Sequence, residues 1–105
     1  MKKMIVFAVF AAMVAFAGHA FAHSPLCDCF DNGDGTVTCE GGFSDGSSAA
    51  GVKMSVLDGA GKVLQDGKMN ADSEFSFKKP GDAYVVLFDA GEGHSVEING
   101  ADIVE

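Results

Sequence analysis

Two histidines and three cysteines carry the metal or redox chemistry open to this 105-residue chain. His23 directly follows Ala20-Phe21-Ala22, a small-x-small pattern that signal peptidase accepts. Cleavage after Ala22 would make His23 the first residue of the mature protein. Its free amine and its own imidazole could then close one chelate ring on a metal. A second imidazole completes a T-shaped set of nitrogens, a geometry that suits Cu(II) or Ni(II). His94 is the one other histidine beyond the cleavage site, and it follows Gly91-Glu92-Gly93, a loop able to bend sharply. Glu92, Asp89 and a free thiol from Cys27 or Cys29 are the weaker candidates for a remaining position. An N-terminal motif with histidine third is absent, because Pro25 stands there and has no amide nitrogen to offer. Cleavage after Gly18-His19-Ala20 is the alternative. It would leave Phe21 first and remove the amine ligand.

Residues 1–22 have the parts of an export signal in order: Lys2 and Lys3, an apolar run from Met4 to Ala17, then small residues. The run is shorter than the roughly 20 residues that a bilayer span needs. Leu26 before Cys27 does not fit a lipoprotein signal. The expected mature chain is therefore a soluble periplasmic or secreted protein of one domain, residues 23–105. Without the leader, five basic residues face all 15 acidic ones, a net charge of −10. That surface repels nucleic acid and anionic membrane and concentrates cations. Neither nucleic acid nor membrane insertion of the mature chain is expected.

A chain this short gains from a staple, and in an oxidising compartment two of the three cysteines should pair. Leu26 to Phe30 alternates, with both cysteines on one face. Asp31-Asn32-Gly33-Asp34-Gly35 is a turn, and Thr36 to Cys39 reads as the returning strand of a hairpin. If Phe30 lies opposite Thr36, Cys27 faces Cys39. A register slipped by two places Cys29 there instead. Cys27–Cys39 is preferred, and Cys29–Cys39 stays open.

Further strands follow at Val52–Leu57, Lys62–Gln65, Glu74–Lys78, Ala83–Asp89 and His94–Ile98. Residues 41–51 read as a Gly/Ser/Ala-rich connection anchored by Phe43. Val52, Met54 and Val56 should point inward, as should Phe75 and Phe77, and Ala83–Asp89 is apolar enough to be central. About seven short strands at roughly 8–12-residue spacing predict an all-β fold, a small antiparallel Greek-key β-sandwich almost without helix.

Other chemistries lack their residues. Ser24, Ser44 and Ser95 sit in no nucleophile elbow, and no Ser/His/Asp set or phosphate-binding glycine motif is present. The chain is not expected to be an enzyme. Copper monooxygenases also begin with histidine, but they dock polysaccharide on exposed aromatics. This chain has no Trp and one Tyr, in a core strand. Asp28, Asp31 and Asp34 lack the spacing and terminal Glu of a calcium loop and read as turn chemistry.

Several segments together resemble one family, the small periplasmic accessory components of nickel-type energy-coupling-factor (ECF) transporters. They are His23 at the mature start, Phe43-Ser44-Asp45-Gly46, Val52 to Leu57, Leu64-Gln65-Asp66-Gly67-Lys68, Glu74-Phe75-Ser76-Phe77, and above all Asp89-Ala90-Gly91-Glu92-Gly93-His94. The middle strands are shared with many carboxypeptidase-regulatory-like sandwiches. The resemblance implies a sandwich that assists uptake of Ni2+ or a related ion such as cobalt, beside membrane transporter subunits, with His23 and His94 as ligands. The three cysteines depart from that family's pattern, and a thiolate ligand would favour copper. The expected function is therefore metal binding in transition-metal uptake, Ni2+ first and Cu2+ second, with affinity falling as amine and imidazole protonate. The alternative is a metal-free interaction or structural module of the cell envelope.

Overall fold

Side chains that alternate along a strand can serve a core on one face only, and most strands of the chain use this pattern, although the strand Lys53–Asp58 buries Met54, Ser55 and Val56 in succession. In a computed structural model that describes residues 24–105, seven strands form two antiparallel sheets. Residues 1–23, which include the expected leader and His23, lie outside the described residues. One sheet holds β1 (Pro25–Asp31), β2 (Thr36–Phe43) and β5 (Glu74–Lys78) in the order β1-β2-β5. The other holds β3 (Lys53–Asp58), β4 (Val63–Lys68), β6 (Tyr84–Asp89) and β7 (Ser95–Asn99) in the order β4-β3-β6-β7. The chain changes sheet between β2 and β3, β4 and β5, and β5 and β6. Those crossings interlock β2–β5 with β3–β6, as a Greek-key sandwich requires. A single 3-10 turn, Gly100–Asp102, follows β7.

The inner faces meet as the alternation predicts. Val37, Cys39 and Phe77 come from one sheet, and Met54, Val56, Tyr84, Val86 and Phe88 from the other. Phe77 meets Tyr84 edge-on at 6.0 Å between ring centres, and Phe43 meets Phe88 at 6.1 Å. Such tilted pairs add to the burial itself. β6 is central, paired with β3 on one side and β7 on the other.

The sandwich differs from the sequence reading at two glycine-containing stretches. β2 runs on to Phe43, where a connection was expected, and β4 runs on to Lys68. Both extensions hold a glycine because there is no room for a side chain. A Cβ on Gly41 would lie 2.6 Å from the Met69 sulfur and 2.7 Å from the Phe88 ring. On Gly67 it would lie 2.7 Å from the Phe75 ring. Glycine here permits close packing between the sheets rather than a turn.

The register of the first hairpin is the second correction. Phe30 pairs with Thr38 and Cys29 with Cys39, two residues away from the preferred alignment. The turn is displaced by one residue along the chain, centred on Asp34 rather than Gly33. Asp31 pairs with Val37, and the Asn32 amide donates to the Thr36 carbonyl at 3.0 Å. Side chains make this possible: Asp31 accepts from the Gly33 amide at 2.8 Å, and Asp34 accepts from the Thr36 amide at 3.0 Å. Asn32 donates to both Thr36 and Thr38 hydroxyls. These carboxylates thus do turn chemistry. The Lys79 ammonium, 2.7 Å from Asp31, and the Gly33 amide together hold the Asp31 carboxyl below the usual range.

The Tyr84 hydroxyl is buried and has no hydrogen-bond partner among the described residues. Burial pushes its phenol upward. An unmatched buried hydroxyl costs roughly 1–3 kcal/mol. Tyr84→Phe is therefore expected to raise stability by about 1 kcal/mol, read as a higher midpoint in urea unfolding. A lower midpoint would mean that the hydroxyl is matched.

Candidate metal centre

His94 ends the turn that joins β6 to β7. Its amide donates to the Gly91 carbonyl at 2.9 Å, and its carbonyl accepts from the Ala90 amide at 3.0 Å. Gly91 (φ +117°) and Gly93 (φ +76°) take backbone conformations that L side chains rarely adopt, so this turn depends on both. The His94 ring is held as well. Its Nδ1 lies 3.1 Å from the Glu92 carbonyl oxygen. A carbonyl can only accept, so Nδ1 is the donor in this contact and Nε2 is the ring nitrogen left open to an ion. Metal-bound histidines show the same arrangement, one ring nitrogen donating to a fixed acceptor and the other on the ion.

The half-buried His94 ring borders a cavity of about 280 Å3 lined also by Phe43, Ser47 and Ala90. Phe43 is fixed from below by Phe88, and Ser47 by the Asp45 carboxylate, which accepts from its amide and hydroxyl. The connection that carries Ser47 is pinned one turn later, where Ser73 accepts from the Ala49 amide and meets the Ser48 hydroxyl, both at 2.9 Å.

The start of the described chain arrives at the same place. Pro25 pairs with Phe43. Ser24 donates its amide to the Ser44 hydroxyl and accepts the Ser44 amide at its carbonyl, both at 2.9 Å. Ser24 is thus fastened beside a cavity wall that His94 shares, and sequence reasoning missed Phe43, Ser44 and Ser47 as parts of that setting. The signal was faint: a large aromatic flanked by serines within a glycine-rich stretch.

The weaker candidates take other roles. Asp89 accepts from the Gly91 amide at 3.1 Å and so shapes the turn. Glu92 contributes its carbonyl to His94, while its side chain is exposed. Cys29 is bonded to Cys39 across the strand pair, with Cα atoms 4.0 Å apart, so its sulfur is no free ligand. The preferred Cys27–Cys39 bond gives way to Cys29–Cys39 because the turn is centred one residue later, which sets that register.

Cys27 keeps its thiol. It borders a different hollow, an open groove of about 390 Å3 lined by Leu26, Asp28, Glu40, Gly41 and Gly42. Burial first, and the Asp28 carboxylate second, push this thiol up to about 11. The thiolate is the reactive form. Alkylation of Cys27 by iodoacetamide at pH 8 should run about a hundredfold slower than for an ordinary exposed thiol. The rate should climb about tenfold per pH unit until pH approaches the shifted value. A rate that levels off near pH 9 would place the thiol in an ordinary environment.

No family model, curated protein or solved structure matches the chain. Among the described residues no helix is long and apolar enough to cross a membrane. The Cys29–Cys39 disulfide fits an oxidising compartment.

Proposed function

We propose that this chain is a metal-binding accessory protein of the cell envelope that serves transition-metal uptake. The ion is its cargo. The amine and imidazole of His23, with Nε2 of His94, would hold one divalent ion, Ni2+ before Cu2+. The observation that carries the reading is the locked His94 ring, whose Nδ1 meets the Glu92 carbonyl at 3.1 Å and whose Nε2 is left to bind. Two further features support it. Ser24, one peptide bond from His23, is tied to Ser44 beside the cavity that His94 borders. The net charge of the mature chain favours the approach of cations. Transporter subunits and a periplasmic location follow from the family resemblance.

The test is native mass spectrometry of the protein exported with its own leader, with and without Ni2+ and Cu2+. The expected species begins at His23 and gains one ion. In His94→Ala that gain should be lost or weakened by at least about tenfold, because one of three nitrogens is gone. A species beginning at Phe21, or no specific metal uptake, would leave a metal-free sandwich module as the reading, and equal uptake by wild type and His94→Ala would remove His94 from the site.

A further inference from the structure

All three cysteines are in one place. β1 and β2 present Cys27, Cys29 and Cys39 on the inner face of their sheet, and the three sulfurs lie within 4.8 Å of one another. Alternation explains two of them, since Cys27 and Cys29 are two residues apart on β1. The register supplies the third, because Cys39 is directly opposite Cys29 and diagonal to Cys27. Opposite Cys27 stands Gly41, and the space its missing side chain leaves is filled by the Met69 thioether. Soft sulfur atoms thus crowd one buried corner of the sandwich. The groove along Leu26–Asp28 and Glu40–Gly42 opens onto Cys27 from outside.

We infer that Cys27, Cys29 and Cys39 form a soft-metal site, closed while the Cys29–Cys39 disulfide is intact and opened by its reduction. The ligand class is a soft d10 ion, Cu(I) foremost, since thiolate and thioether donors select it. Three thiolates around one ion at about 2.3 Å place their sulfurs roughly 4 Å apart, so the bonded Cys29 and Cys39 sulfurs must separate on reduction, while the Cys27 sulfur already lies within 4.8 Å of both. No His, Asp or Glu joins the three sulfurs among the described residues, which disfavours the four-coordinate structural site that Zn2+ prefers.

Opening the site needs a reductant, and a dithiol serves. It gives two electrons and two protons to the Cys29–Cys39 bond, becomes a disulfide itself, and leaves two protein thiols. The incoming ion then displaces thiol protons as its bonds to sulfur form. In the oxidised protein Cys27 offers one thiol, too few to hold the ion. The site is separate from the nitrogen site proposed for His23 and His94, so the two would respond to different ions in different redox states.

Native mass spectrometry with Cu(I), supplied as its acetonitrile complex, tests the inference on protein reduced by the phosphine TCEP. Reduced wild type should gain one ion and keep its β-sheet circular dichroism, and oxidised wild type should gain none at the same concentration. Reduced Cys27→Ser should bind at least about tenfold more weakly, since one of three ligands is gone. Reduced His94→Ala should bind as wild type does, which separates this site from the nitrogen site. Equal uptake by oxidised and reduced protein would overturn the inference, as would uptake unaffected by Cys27→Ser. Uptake only by a chain that has lost its sheet signal would overturn it too.

Discussion

Phe88→Ala should cost about 4 kcal/mol of stability, the largest loss expected from any single side chain here. Phe88 is fully buried on the central strand β6, between Met54 on β3 and Val96 on β7. Its ring packs against Phe43 at 6.1 Å and under Gly41, where no side chain fits. Truncation forfeits the transfer of the ring from water and leaves a cavity that rigid sheets cannot close. A domain of this size holds roughly 4–12 kcal/mol in all, so the variant should be near its unfolding threshold. Urea unfolding followed by the fluorescence of Tyr84, the one tyrosine in a chain without Trp, reads the loss directly. Phe88→Leu, which keeps most of the volume, should lose less than about half as much. A loss below about 2 kcal/mol in Phe88→Ala would show that the sheets can collapse onto the gap. Phe43 lines the His94 cavity, so the effect should reach the candidate metal centre as well.

The second large effect belongs to the disulfide. Cys29→Ala/Cys39→Ala removes a link between residues ten apart in sequence. Closing a loop of about that length restricts the unfolded chain by about 3 kcal/mol. Cys39 is also fully buried, so its sulfur contributes packing. For a domain of this size the melting temperature should fall by roughly 12–24 °C. Reduction of the wild type should give a similar drop, which distinguishes loss of the link from loss of packing. A fall of less than about 5 °C would mean that the tight turn already supplies most of the constraint. The same numbers bear on the redox-gated site: a reduced chain that keeps part of its stability can recover more of it by binding an ion, since binding to the folded form stabilises that form.

Much of the sandwich was open to reading because alternation is a local property. Tyr84, Val86 and Phe88 point inward for the reason their spacing predicts, as do Met54 and Val56. The turn at Asp31–Gly35 and the bend at Gly91–Gly93 were visible from residues that favour such backbones, and His94 beside that bend could be singled out from its neighbours alone. Register and partner choice were not open in the same way. Whether Asp31 and Asn32 belong to strand or loop depends on bonds to Gly33, Thr36, Thr38 and Lys79, and a slip of two residues leaves the inward pattern unchanged. That slip decides which cysteine meets Cys39. Gly41 and Gly67 looked like loop residues because glycine signals a turn until a neighbouring sheet is present to fill its space. Sequence by itself therefore determined the seven strands and the faces they bury, though not the glycine-containing ends of β2 and β4. Only the tertiary structure decided the Cys29–Cys39 bond, the cluster of three sulfurs and the wall that Phe43 and Ser47 build beside His94. The reason is that each depends on atoms far apart in the chain, and no local rule of backbone or periodicity carries their distance.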